Sequence, residues 1–285
     1  MNKRIPAPPT RVTGRTLVGK RTGRAEGHGR SHRGRVAYAA AVRVVSWNLG
    51  FAIAFKRTHD RAWHYLAALD PDIALLQEVV PPAWARDRWT IEARPLRDWG
   101  TAIVAKPGLK LQRTPETDAY STTGTVSLAD GTELLVASVH TQVGKALPEH
   151  YVGLDPEAVR RPRQAVPHHN DIAYAFHRER VQGRRFLVSG DWNIARLWDQ
   201  SHPSAHEADF FTRAEADGWV ECYRLFHPEG EGRTWFRGTD APYQLDHAFC
   251  DPETAVHLAA CDIYAHPAEM LRLSDHAPLI LQLDL

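Results

Sequence analysis

Cysteine is scarce in this chain of 285 residues: Cys222, Cys250 and Cys261 are the only three, they lie in its last quarter, and no two have CxxC spacing. An odd number of thiols without that spacing excludes a disulfide framework and a zinc ribbon, and predicts reduced, buried thiols in a cytoplasmic protein. Long apolar runs are missing as well. No stretch approaches the roughly 18 residues that a membrane-spanning helix requires, so such a span is excluded. Net charge is almost absent, with 35 Lys and Arg facing 34 Asp and Glu. That balance is made of two unequal parts. Residues 1–35 hold ten basic side chains against a single acid, Glu26, which leaves residues 36–285 with a formal charge of −8. A basic arm and an acidic body act differently on phosphates.

What is present is globular: 43% of residues are hydrophobic and nine are Trp. The length suits one large domain. Residues 1–35 carry almost no large apolar side chain, so they predict a disordered basic arm ahead of a catalytic domain over 36–285. No apolar segment follows the charges, which argues against a secretory signal; an organelle transit peptide and a translated spacer both fit the composition. Gly14 to Arg21 matches the spacing of a phosphate-binding loop. Arg21, however, stands where the magnesium-binding hydroxyl belongs, and no strand precedes it.

From Val42 onward short apolar runs alternate with turn residues. Strands are predicted over Val42–Ser46, Ile73–Leu76, Thr101–Ala105, Thr125–Leu128, Leu134–Val139, Phe186–Val188, Gln244–Phe249 and Leu279–Leu283. Helices are predicted over Asp60–Leu69 with Thr58 as N-cap, over Asn170–Gln182, and over Ala205–Ala216. Some strands follow one another directly and no repeat is visible, which points to a layered α/β domain.

Acid, amide and imidazole residues fall at the ends of those strands. Asn48 ends the first, Glu78 the second and His140 a later one; Asp191 and Asn193 follow Phe-Leu-Val-Ser-Gly; Asp246 sits in Gln-Leu-Asp-His; Asp275 and His276 precede the last. Residues so far apart in sequence converge only if neighbouring strands end at one edge, where α/β enzymes build their sites.

The ordered blocks Ser46-Trp47-Asn48, Leu76-Gln77-Glu78, Ser138-Val139-His140-Thr141, Gly190-Asp191-Trp192-Asn193, Gln244-Leu245-Asp246 and Ser274-Asp275-His276 resemble the endonuclease/exonuclease/phosphatase superfamily from about Val42 to Leu285. The resemblance implies a four-layer α/β sandwich, two mostly antiparallel sheets flanked by helices, and a metal-dependent phosphoesterase, most plainly a nuclease acting on DNA or RNA. It implies Glu78, Asn48 and Asp275 as ligands of Mg2+ or Mn2+, Asp191 as the group that deprotonates the attacking water, and Asn193 as a donor to the phosphoryl group. His276, kept cationic by Asp246, would meet the scissile phosphate.

His140 bears on the subfamily: AP endonucleases of this superfamily usually carry Asn there, whereas secreted deoxyribonucleases, sphingomyelinases and deadenylases carry His. The C-terminal third instead resembles the bacterial exonuclease III and AP endonuclease branch, which implies Trp235 and Tyr243 as aromatics around an extruded sugar. Arg160, Arg161, Arg163, Arg178, Arg180, Arg184 and Arg185 make the segment before Asp191 the most basic part of the body, a solvated helix face or a set of phosphate-backbone contacts with Arg163 among them. His168 and His169 are expected to be a solvated helix cap. A phospholipid phosphodiesterase is the alternative suggested by His140 and the apolar stretch Phe51–Phe55. A noncatalytic module is disfavoured, because clustered carboxylates are costly to bury without a use. Nucleic acid is the expected partner; no protein partner is implied, and the chain is expected to act as a monomer.

Overall fold

The computed structural model describes residues 41–51, 56–115, 119–151, 154–155, 159, 166–201, 207–237, 243–264 and 272–284. The arm expected over residues 1–35 lies outside these, as do Arg160, Arg161, Arg163 and residues 52–55 of the apolar stretch after Asn48.

Among the described residues, twelve strands form two six-stranded sheets. The first runs, in spatial order, β11 (Leu258–Ile263), β12 (Leu279–Asp284), β1 (Ala41–Asn48), β2 (Ile73–Val79), β4 (Gly100–Ala105) and β3 (Thr90–Pro95). The second runs β5 (Lys110–Arg113), β6 (Ser121–Ser127), β7 (Glu133–His140), β8 (Phe186–Asp191), β10 (Asp246–Cys250) and β9 (Val220–Glu221). Pairing is antiparallel throughout except for β1 with β2 and β7 with β8. This is the mostly antiparallel two-sheet architecture that the sequence predicts.

Period-two alternation along the inner strands explains the layers. Val44, Ile73, Leu75, Ile103, Leu281 and, from the opposite sheet, Leu134, Val136 and Leu187 fill the space between the sheets. Their neighbours Val45, Ala74, Leu76 and Val104 face outward onto α1 (His59–Leu69), whose Ala62, Trp63 and Leu66 cover the first sheet. Leu135, Ala137, Val188 and Phe249 do the same for the second sheet, under α3 (His169–Val181) and α5 (Glu207–Ala216). Helix, sheet, sheet and helix make four layers. Shorter helices α2 (Ala83–Arg88), α4 (Arg196–Ser201), α6 (Cys222–Phe226) and α7 (Pro252–Ala255) fill the connections. The three cysteines are free and buried, as expected. No helix among the described residues is long and apolar enough to cross a membrane.

Thr58 is the N-cap of α1, as expected, with no capping bond from its side chain. One local expectation needs correction. His169 is not solvated: it is buried, and its Nδ1 lies 2.6 Å from the Tyr120 hydroxyl, while the N–H of His168 donates to Asp171 Oδ2 at 3.0 Å.

Candidate active site

The two parallel strand pairs, one in each sheet, end at the same rim. In the first sheet Asn48 closes β1 and Glu78 lies near the end of β2; in the second His140 and Asp191 close β7 and β8 directly opposite each other in register. Glu78 is turned inward by an irregularity in the β2–β4 pairing between Leu76 and Val79, and it adopts a left-handed backbone with φ 49°. A non-glycine residue in that region is sparsely populated and marks a position held by its surroundings. Asn193 is held likewise, at φ 50°.

Asp191 is the hub. Its Oδ2 accepts from Asn48 Nδ2 at 3.0 Å and lies 3.8 Å from both His140 Nε2 and His276 Nε2, while its Oδ1 accepts from the Asn193 N–H at 3.1 Å. Asn48 Nδ2 also reaches Glu78 Oε1 at 3.4 Å, and His140 Nε2 lies 3.3 Å from that same oxygen. One amide and one imidazole thus tie the two carboxylates together across the sheets. His276 Nδ1 stands 2.8 Å from Asp246 Oδ2, and Asp275 is buried next to it in sequence.

Burial pushes the Asp191 carboxyl up, to about 6, and the Asp246 charge adds to that, against the opposing pull of His276, His140 and the Asn48 bond. Burial works against charge on His276, yet the Asp246 and Asp191 carboxylates, the hydrogen bond to Asp246 and the Asp275 charge overcome it and raise the imidazole to about 10. His276 is therefore an imidazolium near neutral pH.

Asp191, Asp246 and His276 offer ligand atoms within 4.8 Å of one another. We do not read them as a metal trio, because His276 has one ring nitrogen committed to Asp246 and a proton on the other. Glu78 lies beside Asn48, whose Nδ2 reaches its Oε1 at 3.4 Å, and Asp275 is buried beside His276 in sequence.

The residues flanking these groups hold the rim together. Gln77 Nε2 donates to Ser138 Oγ at 2.9 Å and Ser138 Oγ to the Leu76 carbonyl at 2.7 Å, joining the sheets below Glu78 and His140. Trp47 Nε1 donates to the His276 carbonyl at 2.9 Å, and Ser274 Oγ donates to the Asn48 carbonyl at 2.6 Å, so the segment before β12 hangs on β1. Thr141 Oγ1 donates to the Trp192 carbonyl and Asn193 Nδ2 to the Thr141 carbonyl. Gly190 passes so close to β7 that a Cβ there would sit 2.0 Å from the Val139 carbonyl oxygen.

Of the expected aromatics, Trp235 pairs by its backbone with His276 through an isolated antiparallel bridge, and the Tyr243 ring meets Trp198 of α4 edge-on at 5.6 Å. Trp99, which sequence reasoning missed, packs edge-on against His140 at 5.0 Å. Its only signal was its place just ahead of a predicted strand. Arg163 lies outside the described residues.

Fold and rim together are those of a phosphoesterase. The chain belongs to the endonuclease/exonuclease/phosphatase family, whose sequence profile matches residues 45–276. Among curated protein sequences none matches. Solved structures share the fold: the 3′ phosphatase NExo from Neisseria, bound to product DNA hairpin, superposes with a TM-score of 0.61 at 21% identity over 86% of this chain and 100% of that one. The AP endonuclease from Leishmania major gives 0.59 at 17% identity, covering 86% and 88%. The human Nocturnin catalytic domain, with bound sulfate, gives 0.55 at 17% identity, covering 85% and 92%.

Proposed function

We propose that the protein is a divalent-cation-dependent nuclease that hydrolyses phosphodiester bonds of DNA or RNA by in-line attack of water, acting as a cytoplasmic monomer. The observation that carries this reading is the position of Asp191, a buried carboxylate set between two imidazoles and linked through Asn48 to Glu78.

The donor set fits a small hard cation. Glu78 and Asp275 supply carboxylate oxygens, and Asp191, which burial drives toward its neutral form, would be stabilised as a carboxylate by a dication nearby. Glu78 and Asp275 would hold Mg2+ or Mn2+; Asn48 would join them through its oxygen on a flip of the amide, whose Nδ2 faces the Glu78 and Asp191 carboxylates while Oδ1 accepts from the Gly50 N–H at 2.9 Å. Such an ion, when bound, neutralises nonbridging phosphate oxygens and supports a departing alkoxide. Asp191 takes the proton of the attacking water, and its raised proton affinity suits that task near neutral pH. Asn193 orients the phosphoryl group by hydrogen bonding. His276, fixed by Asp246, presents an imidazolium to the charge that grows on the phosphate. His140 turns Nε2, not its buried Nδ1, toward the site, 3.3 Å from Glu78 Oε1 and 3.8 Å from Asp191 Oδ2, and is the imidazole nearest both carboxylates. Trp235 and Tyr243 contact the sugar, and Arg163 the backbone phosphates.

Nucleic acid as substrate is supported by the DNA hairpin bound to the Neisseria phosphatase and by the AP endonuclease among the neighbours. One observation favours a second reading, a phospholipid phosphodiesterase: Val143 and Leu147, in the chain that follows His140, are apolar yet 83% and 54% exposed. A panel of abasic duplex, single-stranded DNA, RNA and sphingomyelin vesicles, with Mg2+ or Mn2+ and with chelator, separates the two. Cleavage of a nucleic acid, lost on chelation, is expected. Vesicle turnover without nucleic-acid cleavage selects the second reading. Glu78→Ala and Asp191→Ala are expected to lower turnover by about 10² to 10⁴-fold with the fold intact; retention of more than about a tenth of the activity overturns the site.

A further inference from the structure

Directly behind Asp246, on the opposite face of β10, lies His247. It is fully buried, and its ring makes contacts that converge from three parts of the chain. Nδ1 stands 2.9 Å from Glu221 Oε1. Nε2 stands 2.9 Å from the Gln244 carbonyl and 3.1 Å from the Ile194 carbonyl. Carbonyl oxygens only accept, so Nε2 carries a proton and donates to both. The other oxygen of Glu221 accepts from Arg196 Nη2 at 2.5 Å, and the Arg196 guanidinium lies 3.7 Å over the Phe211 ring, whose centroid is 5.0 Å from the imidazole. Glu231 finishes the arrangement by accepting from the N–H groups of Arg196 and Leu197 at 2.6 and 3.0 Å, which fixes the start of α4.

The two carbonyls belong to the two loops that matter most for the chemistry. Ile194 follows Asn193, whose left-handed backbone turns the chain out of β8 just after Asp191. Gln244 precedes Asp246, and its side-chain amide donates back to the Asp246 carbonyl at 3.2 Å. One further bond, from the Trp192 N–H to the Leu245 carbonyl at 2.9 Å, also links these loops. A buried ring that donates to both backbones at once sets the distance between them.

We infer that His247 is a positioning residue for the reaction: with Glu221 and Arg196 behind it, it locks the loop carrying Asp191 and Asn193 to the strand start carrying Asp246. The inference rests on the reading of Asp191 and Asp246 as the reacting machinery. His247 itself touches no substrate. Its contribution comes from geometry, because a shift of about 1 Å in a reacting group can cost about 10²-fold in rate. Residues that orient the groups of a site commonly contribute 10 to about 100-fold when removed.

Three variants test this against a cleavable phosphodiester, at a temperature where each is folded by circular dichroism: His247→Leu, His247→Gln and Asp191→Ala. His247→Leu is expected to lower kcat by 10 to about 100-fold with KM changed less than about threefold and with Mg2+ binding by calorimetry unchanged, since Glu78, Asn48 and Asp275 are untouched. His247→Gln, whose amide can still donate to the Ile194 and Gln244 carbonyls, is expected to recover most of the lost kcat. If His247→Leu does not fold, the double variant His247→Leu/Glu221→Gln, which leaves no unpaired carboxylate beside the apolar side chain, takes its place with the same expected loss of kcat at little-changed KM. A kcat within twofold of wild type in His247→Leu, equal losses in the Leu and Gln variants, or a rise in KM alone overturns the inference. Full activity in Asp191→Ala instead overturns the underlying reading, and the two failures are thereby told apart.

Discussion

His276 and Asp246 meet across the sandwich: the Nδ1 atom of the one lies 2.8 Å from Oδ2 of the other, yet Asp246 opens β10 in the second sheet and His276 precedes β12 in the first. The pair is therefore a contact between the two sheets as well as an electrostatic device. Without that carboxylate, burial would act against charge on the imidazole with only Asp191 and Asp275 to oppose it.

Asp246→Asn removes the charge that contributes most to holding His276 at about 10. In the variant the ring is expected to titrate well below that value, followed by proton NMR of its C–H resonances. At pH 8 a smaller share of the imidazole then carries charge, and turnover is expected to fall by about 10²-fold or more, with partial recovery as the pH is lowered.

Metal affinity is expected to depend on Asp191. In the protein without metal its carboxyl takes up a proton near 6, and a dication bound beside it competes with that proton. Apparent Mg2+ affinity measured by calorimetry is therefore expected to be flat above about pH 7 and to weaken by up to about tenfold per unit below about 6. Asp191→Asn is expected to flatten that dependence.

His59 makes stability depend on pH away from the chemistry. Its Nε2 accepts from the Trp63 indole N–H at 3.0 Å and lies 3.1 Å from the Val80 nitrogen and 3.2 Å from the Val80 carbonyl oxygen; burial lowers its pKa from 6.5 to about 4, against the opposing pull of the Val80 carbonyl. The folded state thus resists a proton that the unfolded chain accepts. The stability linked to this ring is present above about 6.5 and is lost as the pH falls toward 4, by about 2 kcal/mol at pH 5. Urea unfolding at pH 7 and pH 5 is expected to reveal that loss in the wild type and a smaller one in His59→Gln.

Gly190 tolerates no side chain. With φ 154° and the β7 backbone so close, Gly190→Ala would push a methyl against the Val139 carbonyl and amide, which cannot swing aside as a side chain could. Loss of at least about 2 kcal/mol of stability is expected, read from the urea midpoint. Activity is expected to fall further than the folded fraction, because Asp191 is the next residue.

The eight strands that the sequence predicts are the eight inner strands of the two sheets, and the four it misses, β3, β5, β9 and β11, are the four edges. Inner strands buried on both faces write apolar runs into the sequence, such as Ile73-Ala-Leu-Leu76. Edge strands such as Lys110-Leu-Gln-Arg113 stay half in solvent and look like loops. The start of β6 escaped for another reason: Ser121, Thr122 and Thr123 are polar yet buried, and Thr122 Oγ1 bonds to Thr101 of the facing sheet. The rim was legible because polar residues at the ends of apolar runs stand out. The supports behind it were not. His247 needs Glu221, 26 residues away, and His59 needs Val80, 21 away, before either has a role.

Because one parallel strand pair from each sheet supplies half of the rim, the site exists only while the sheets are docked. Asn48 reaches Asp191, Gln77 reaches Ser138 and His276 reaches Asp246 across that seam. Turnover is thus a gauge of how the two halves are seated. On gentle denaturation it should fade while each sheet keeps its own hydrogen bonds, and on refolding it should be among the last properties to return.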